Sequence, residues 1–140
     1  MCKAIARTRL SIGRIEIAYE RSPVLVAADT AWLIAVVVAE LIENSLKHAF
    51  DASGGRITVM LGEDGQGLVL TVSDNGSGVV GEKGGRGTAI VDAAVDELGG
   101  RIVRAPSTDG TFIEVEVPTT ALTRGLRSMR RCGPTHWGSA

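Results

Sequence analysis

Glu40, Asn44 and Lys47 stand one helical turn apart within ELIENSLKHAF, residues 40–50, and this spacing could bring them together for chemistry. If the stretch is a helix advancing about 100° per residue, Glu40, Glu43, Asn44, Lys47 and His48 share one face, and Ile42, Leu46 and Ala49 take the other. A solvated stripe on an amphipathic helix is the ordinary explanation of such a face. Just upstream, however, Trp32 to Ala39 is apolar all round. The first half of this helix is therefore expected to be wholly buried and the polar face to line a cavity. An amide oxygen on Asn44 suits a hard cation such as Mg2+, and a carboxylate one turn earlier, Glu40, can orient or deprotonate a nucleophile. The Lys47 ammonium supplies a positive point charge for phosphate oxygens. Together these groups suit a metal–phosphate ligand better than an organic acid or a sugar.

Two glycine-rich stretches meet that expectation. In Ser73-Asp74-Asn75-Gly76-Ser77-Gly78 a carboxylate is followed by glycines that let the backbone approach a flat ligand, so Asp74 could accept a hydrogen bond from an exocyclic amine such as that of adenine. Alone, this stretch would read as a turn. In Gly84-Gly85-Arg86-Gly87-Thr88 glycines lead into a helix, whose free N–H groups and positive dipole end attract phosphate.

The elements that must position these residues are set by hydrophobic period. Ile15, Ile17 and Tyr19 alternate along a strand expected over Leu10 to Tyr19. Ser22-Pro23 breaks it, and Asp29 or Thr30 is expected to cap a helix running to about Phe50. Ile57, Val59 and Leu61, then Leu68, Leu70 and Val72, form a hairpin around the reversal Gly62 to Gly67. A second helix is expected from about Thr88 until Gly99-Gly100 stops it. Strands over Arg101 to Arg104 and Thr111 to Val117 close the series. The order β, α, β-hairpin, glycine-rich loop, α, β-hairpin predicts an α+β two-layer sandwich, a mixed and mostly antiparallel sheet with helices on one face.

Composition bounds the rest. A chain of 140 residues is one ordinary domain, and 44% hydrophobic with 4% aromatic residues predicts an aliphatic, alanine-rich core. A net charge of −1 gives no electrostatic footprint for nucleic acid. Cys2 and Cys132 lie near opposite ends without metal or redox spacing, which points to a reducing, cytoplasmic setting. No signal peptide is visible, and the longest apolar run, Ala31 to Ala39, falls short of the ~20 residues of a membrane span. Residues 1–118 are expected to form the domain. Residues 119–140, with Arg124, Arg127, Arg130 and Arg131 and no acid, read as a loose basic tail in preference to a docking helix.

Four ordered stretches carry a family resemblance. ELIENSLKHAF resembles the N box, SDNGSG the G1 box, GGRGTAIV the G2 box and DGTFIEVEVP the closing G3 strand of the GHKL ATPases, the Bergerat-fold superfamily. That superfamily includes DNA gyrase, the mismatch-repair protein MutL, the ninety-kilodalton heat-shock chaperones and the sensor histidine kinases. The N box, the GGRI after it and the phrase DELGGRI are most similar to the ATP-binding catalytic domain of bacterial histidine kinases, especially the HWE and HisKA_2 groups.

The resemblance, which runs from about Leu10 to Pro118, implies a role for each matching position. Asn44 would coordinate Mg2+ and Glu40 would act as or near the general base, while Lys47 and His48 face the phosphates. Asp74 would hold the adenine amine, with Gly76 and Gly78 as flexible neighbours and Thr111 nearby, often working through water. Gly85 and Gly87 would lead from the lid into the phosphate-side helix at Thr88, while Arg86 stands where leucine is usual and either reaches a phosphate or is solvated. The implied ligands are ATP or ADP with Mg2+, and the implied chemistry is transfer of the γ-phosphoryl group to a histidine. That histidine would lie on a helical-hairpin domain of the same protein or of a partner, with a response regulator downstream.

The departures shape the expectation. No histidine precedes the first helix, and His48 and His136 are the only ones in the chain, so it is not expected to be a self-sufficient autokinase. Residues 79–84 would make a short lid without the phenylalanine motif of commoner kinases. Two other readings share the nucleotide site or the fold: an anti-sigma-type serine kinase that sequesters a transcription factor, and a degenerate scaffold without nucleotide. The intact Asn44 and Asp74 speak against the second.

Overall fold

A computed structural model describes residues 6–77, 86–107 and 109–122. Gly78, Gly85 and the lid at 79–84 lie outside them. One six-stranded sheet runs through the molecule in the order β1-β2-β3-β4-β6-β5, with β1 at Ala6–Ile12, β2 at Ile15–Arg21, β3 at Gly55–Glu63, β4 at Gly67–Asp74, β5 at Arg101–Ser107 and β6 at Gly110–Pro118. Only β2 and β3 pair in parallel, because the 21-residue helix α1, Ala28–His48, carries the chain from one to the other. The remaining neighbours are antiparallel. Helix α2, Arg86–Glu97, lies beside α1, and a single turn, α3 at Thr119–Leu122, packs on β4 and β6.

Alternation explains the layer. Ile57 and Val59 of β3, Leu68, Leu70 and Val72 of β4, and Val115 and Val117 of β6 are nearly or fully buried, and they meet Ile34, Val37 and Leu41 of α1 and Val91, Ala94, Val95 and Leu98 around α2. The core is aliphatic, as the composition required. Asp64 closes the β3–β4 reversal by accepting the amide N–H groups of Gln66 and Gly67 at 2.8 and 3.0 Å. Gly99, at φ +65°, ends α2 in the left-handed region.

Three expectations are corrected. The strand expected over Leu10–Tyr19 is a hairpin: the chain reverses at Gly13, φ +61°, and Arg14, so that Ile12 pairs with Ile15. The N-cap of α1 is Ala27, with no side-chain hydrogen bond, so neither Asp29 nor Thr30 caps it. The first half of α1 is not wholly buried, for Trp32 is 70% exposed and Ala31, Ala35 and Ala39 face solvent. In a two-layer fold a helix meets the sheet on one side and α2 on another, and alanines occupy the remaining side at little cost. Past Pro118 the backbone turns directly into α3, because the Thr119 amide and hydroxyl donate to the Gln66 carbonyl at 3.0 and 2.7 Å and set that turn against the β3–β4 reversal.

Candidate functional site

Asp74, the last residue of β4, lies in the middle of the sheet with Ile57 of β3 and Thr111 of β6 as its register partners. Strand alternation turns it toward the helices, where it is one of the few buried acidic or polar side chains. Its carboxylate is held on both oxygens. Oδ2 accepts the Ser45 hydroxyl at 2.8 Å and the Thr111 hydroxyl at 2.5 Å, and Oδ1 accepts the amide N–H groups of Gly76 at 3.1 Å and Thr111 at 3.3 Å. Charge-assisted bonds of this kind compensate the burial of a carboxylate and fix its orientation.

Three elements converge to make this arrangement. The stripe of α1 that faces the sheet is Thr30, Ile34, Val37, Leu41 and Ser45, so a helical period that buries aliphatics also delivers a hydroxyl beneath Asp74. The loop after β4 is pinned to the end of the same helix, where the Ser77 amide donates to the Ala49 carbonyl at 2.9 Å. On the other side, Gly110 opens β6 at φ +130°, and a Cβ there would overlap the Asp74 carbonyl oxygen. Glycine is therefore required on both counts, and its backbone lets Thr111 reach the carboxylate. Asn75 continues the pairing past β4, its amide oxygen accepting the Arg56 N–H at 2.6 Å. In the loop after α1, the Ser53 hydroxyl and amide hold the exposed Asp51 carboxyl below its ordinary pKa.

The second cluster lies between α1 and the start of α2. Glu40 and Asn44 are half-buried on one face of α1, and Gly87, in the first turn of α2, sits directly against them. A Cβ at Gly87 would fall 2.8 Å from Oε2 of Glu40 and 3.3 Å from Oδ1 of Asn44. The absence of a side chain thus lets the α2 N-terminus, with its free N–H groups, approach a carboxylate and an amide. Among the described residues neither Glu40 nor Asn44 makes a side-chain hydrogen bond or ion pair. Arg86 and Thr88 flank Gly87 in the same turn, Arg86 exposed and Thr88 half-buried.

The remaining expected residues sit further out. Lys47 and His48 are exposed in the last turn of α1, and the Lys47 ammonium pairs with the Glu43 carboxylate one turn back. No group of three or more His, Cys, Asp or Glu side chains able to hold a metal occurs among the described residues. The donors at the second cluster, one amide oxygen and one carboxylate, fit a hard cation that draws most of its ligands from phosphate and water, as Mg2+ commonly does.

The structure thus brings Asp74, Gly76 and Thr111 together around one side of α1 and Glu40, Asn44 and Gly87 around another. Ser45 is absent from the residues that the sequence singles out. It lies inside the same polar motif, and the helical face that holds Leu41 and Val37 could have assigned it to the buried stripe. The Thr111 hydroxyl donates to Asp74 directly.

Comparison with known proteins identifies the family and the fold. The family of histidine kinase-, DNA gyrase B- and HSP90-like ATPases matches residues 29–121. Blue-light-activated histidine kinase 2 of Erythrobacter litoralis (strain HTCC2594) is 32% identical over 116 residues, which cover 76% of this chain and 33% of that protein. The histidine kinase domain from the Erythrobacter litoralis EL346 blue-light activated histidine kinase superposes with a TM-score of 0.72 at 27% identity, covering 81% of this chain and 57% of that one. The Acinetobacter baumannii histidine kinase AdeS shares the fold, with a TM-score of 0.64 at 20% identity over 76% of this chain and 55% of that one. The chain therefore spans about a third of the length of its curated relative. No helix among the described residues is long and apolar enough to cross a membrane.

Proposed function

Because the chain belongs to the histidine kinase-, DNA gyrase B- and HSP90-like ATPase family, we propose that it is the ATP-binding catalytic domain of a two-component histidine kinase. It binds Mg-ATP and passes the γ-phosphoryl group to a histidine on a separate helical-hairpin domain or partner, from which a response regulator takes it. A cytoplasmic location fits a supply of ATP.

The observation that carries this reading is the Asp74 carboxylate, buried and oriented by Ser45, Gly76 and Thr111. A fixed acceptor at the end of a central strand, beside a glycine loop, is suited to the exocyclic amine of adenine. From Ser45, α1 leads within about two turns to Asn44 and Glu40 on its polar face, where the phosphates would lie. Mg2+, when bound, would neutralise phosphate charge, with the Asn44 amide oxygen as its protein ligand. Glu40, half-buried beside Gly87, takes in this reading the proton that an attacking imidazole loses as its nitrogen bonds the γ-phosphorus and the bridging oxygen leaves with ADP. The amides at the start of α2, with Arg86, Gly87 and Thr88, face the phosphates, and Lys47 and His48 flank them. Catalysis of this type consists mostly of positioning and charge neutralisation.

Calorimetry tests the nucleotide half: Mg-ATP and ADP are expected to bind, and no detectable heat with either would sink the reading. The transfer half is tested by incubating the chain and labelled ATP with a histidine-bearing helical hairpin. Acid-labile label on the hairpin is expected, whereas acid-stable label would point to a hydroxyl acceptor.

A further inference from the structure

The strand that carries Asp74 ends at that residue, and the side chain of the next one ends it. Continuing the β3–β4 register one step past Ile57 and Asp74 sets Arg56 opposite Asn75. An antiparallel pair of the hydrogen-bonded kind exchanges two backbone bonds, N–H to carbonyl in each direction. Only one of the two forms here, the Asn75 amide N–H donating to the Arg56 carbonyl at 3.2 Å. The Arg56 N–H goes instead to the Asn75 side chain, whose Oδ1 accepts it at 2.6 Å. Asparagine thus supplies a substitute for its own ladder carbonyl, a competition with the backbone that its short amide allows. The backbone carbonyl of Asn75 is released from the ladder.

That release lets the chain turn. The Gly76 N–H points back to Oδ1 of Asp74 at 3.1 Å, and the Ser77 N–H reaches the Ala49 carbonyl, at the end of α1, at 2.9 Å. Glycines keep both sides of the turn clear. A Cβ on Gly76 would overlap the Ala49 carbonyl oxygen, and one on Gly55, beside Arg56, would fall 2.7 Å from Oδ1 of Asn75 and run into the Phe50 ring. An unbroken ladder would instead set Gly76 opposite Gly55, extended along β3, with its N–H drawn away from the carboxylate.

We propose that Asn75 is a positioning residue for the nucleotide: by ending β4 with its side-chain oxygen, it holds the Gly76 amide, and through it one oxygen of Asp74, where the adenine amine is met. The inference rests on the reading of Asp74 as the acceptor of that amine. Asn75 is itself exposed and acts through the backbone turn, without touching the base. Its oxygen has to be an acceptor for this task, so a carboxylate can replace the amide and a methyl group cannot.

Calorimetry and NMR on the full chain test this. Asn75 is exposed, so replacing it opens no cavity. In Asn75→Ala the Arg56 N–H has only the backbone carbonyl opposite it, so the ladder is expected to extend by one pair and the Gly76 amide resonance to move upfield and exchange faster. ADP is expected to bind about fivefold more weakly, in Mg2+ and in EDTA alike. Asn75→Asp keeps an acceptor in place and is expected to restore both the Gly76 resonance and the affinity. Unchanged ADP affinity in Asn75→Ala would overturn the proposal, and so would an Asn75→Asp chain that binds as weakly as Asn75→Ala. Either result leaves the reading of Asp74 standing. A wild-type chain that binds no ADP would overturn that reading, and this inference with it.

Discussion

Near the C-terminal end of α1, Asp74 is buried and accepts hydrogen bonds from two hydroxyls and two amides. Within two turns on another side of the same helix, Glu40 and Asn44 are half-buried, and among the described residues they accept none. The contrast fits the two tasks proposed for these clusters. An adenine amine is a neutral donor of fixed shape, so an acceptor set in place beforehand binds it without reorganisation. Triphosphate and its cation bring their own strong charge and can order the groups that meet them. A carboxylate beside the start of α2, kept close by Gly87, leaves room for that.

The most forceful way to break this comparison is Asp74→Asn. Removing one charged acceptor and presenting an amide N–H to Ser45 and Thr111 is expected to cost about 2–3 kcal/mol of binding, on the order of 100-fold in Kd for ADP. If Asp74 serves the base, as proposed, the loss should be the same in Mg2+ and in EDTA. Asn44→Asp comes next, with about a tenfold weakening of Mg-ATP and little change in metal-free ADP, measured by the same titrations. If Asn44→Asp weakened metal-free ADP as much as Asp74→Asn does, the two clusters would not be separate.

Much of this was legible from the residue pattern. The β-hairpin β3–β4 alternates cleanly over Ile57 to Val72, and the placement of Asp74 and Gly76 beside α1 matches the order of the motifs. The β1–β2 hairpin was not legible, because Gly13-Arg14 interrupts an alternation that Leu10, Ile15 and Ile17 continue on either side, and β1 contributes little to the core. The expected burial of α1 failed for a related reason. Composition around Trp32 is apolar on every side, and composition does not reveal which side a sheet will cover. Ser45 was hidden by its type, since a serine among charged residues reads as solvated until its register with Leu41 and Val37 is followed.

Ser45→Ala sharpens the description of the adenine end. Thr111 still donates to the same Asp74 oxygen, so the orientation of the carboxylate should survive, and the loss is that of one buried hydrogen bond. A decrease in unfolding free energy of about 1–2 kcal/mol is expected in urea titrations, with ADP affinity altered by less than Asp74→Asn alters it. Collapse of ADP binding to the Asp74→Asn level would mean that Ser45, and not the pair of hydroxyls, sets the carboxylate.

The smallest expected effect concerns the phosphate end. Lys47 is paired with Glu43 across one helical turn, and both side chains are more than half exposed. Exposed pairs of this spacing contribute only about 0.2–0.5 kcal/mol, so Glu43→Gln should leave stability nearly unchanged. If Lys47 faces the phosphates, releasing it from Glu43 should tighten ATP by up to about twofold, the affinity equivalent of that energy, and leave adenosine unaffected. Equal affinities for ATP before and after the substitution would remove Lys47 from the phosphate group and confine that end of the site to Glu40, Asn44 and the start of α2.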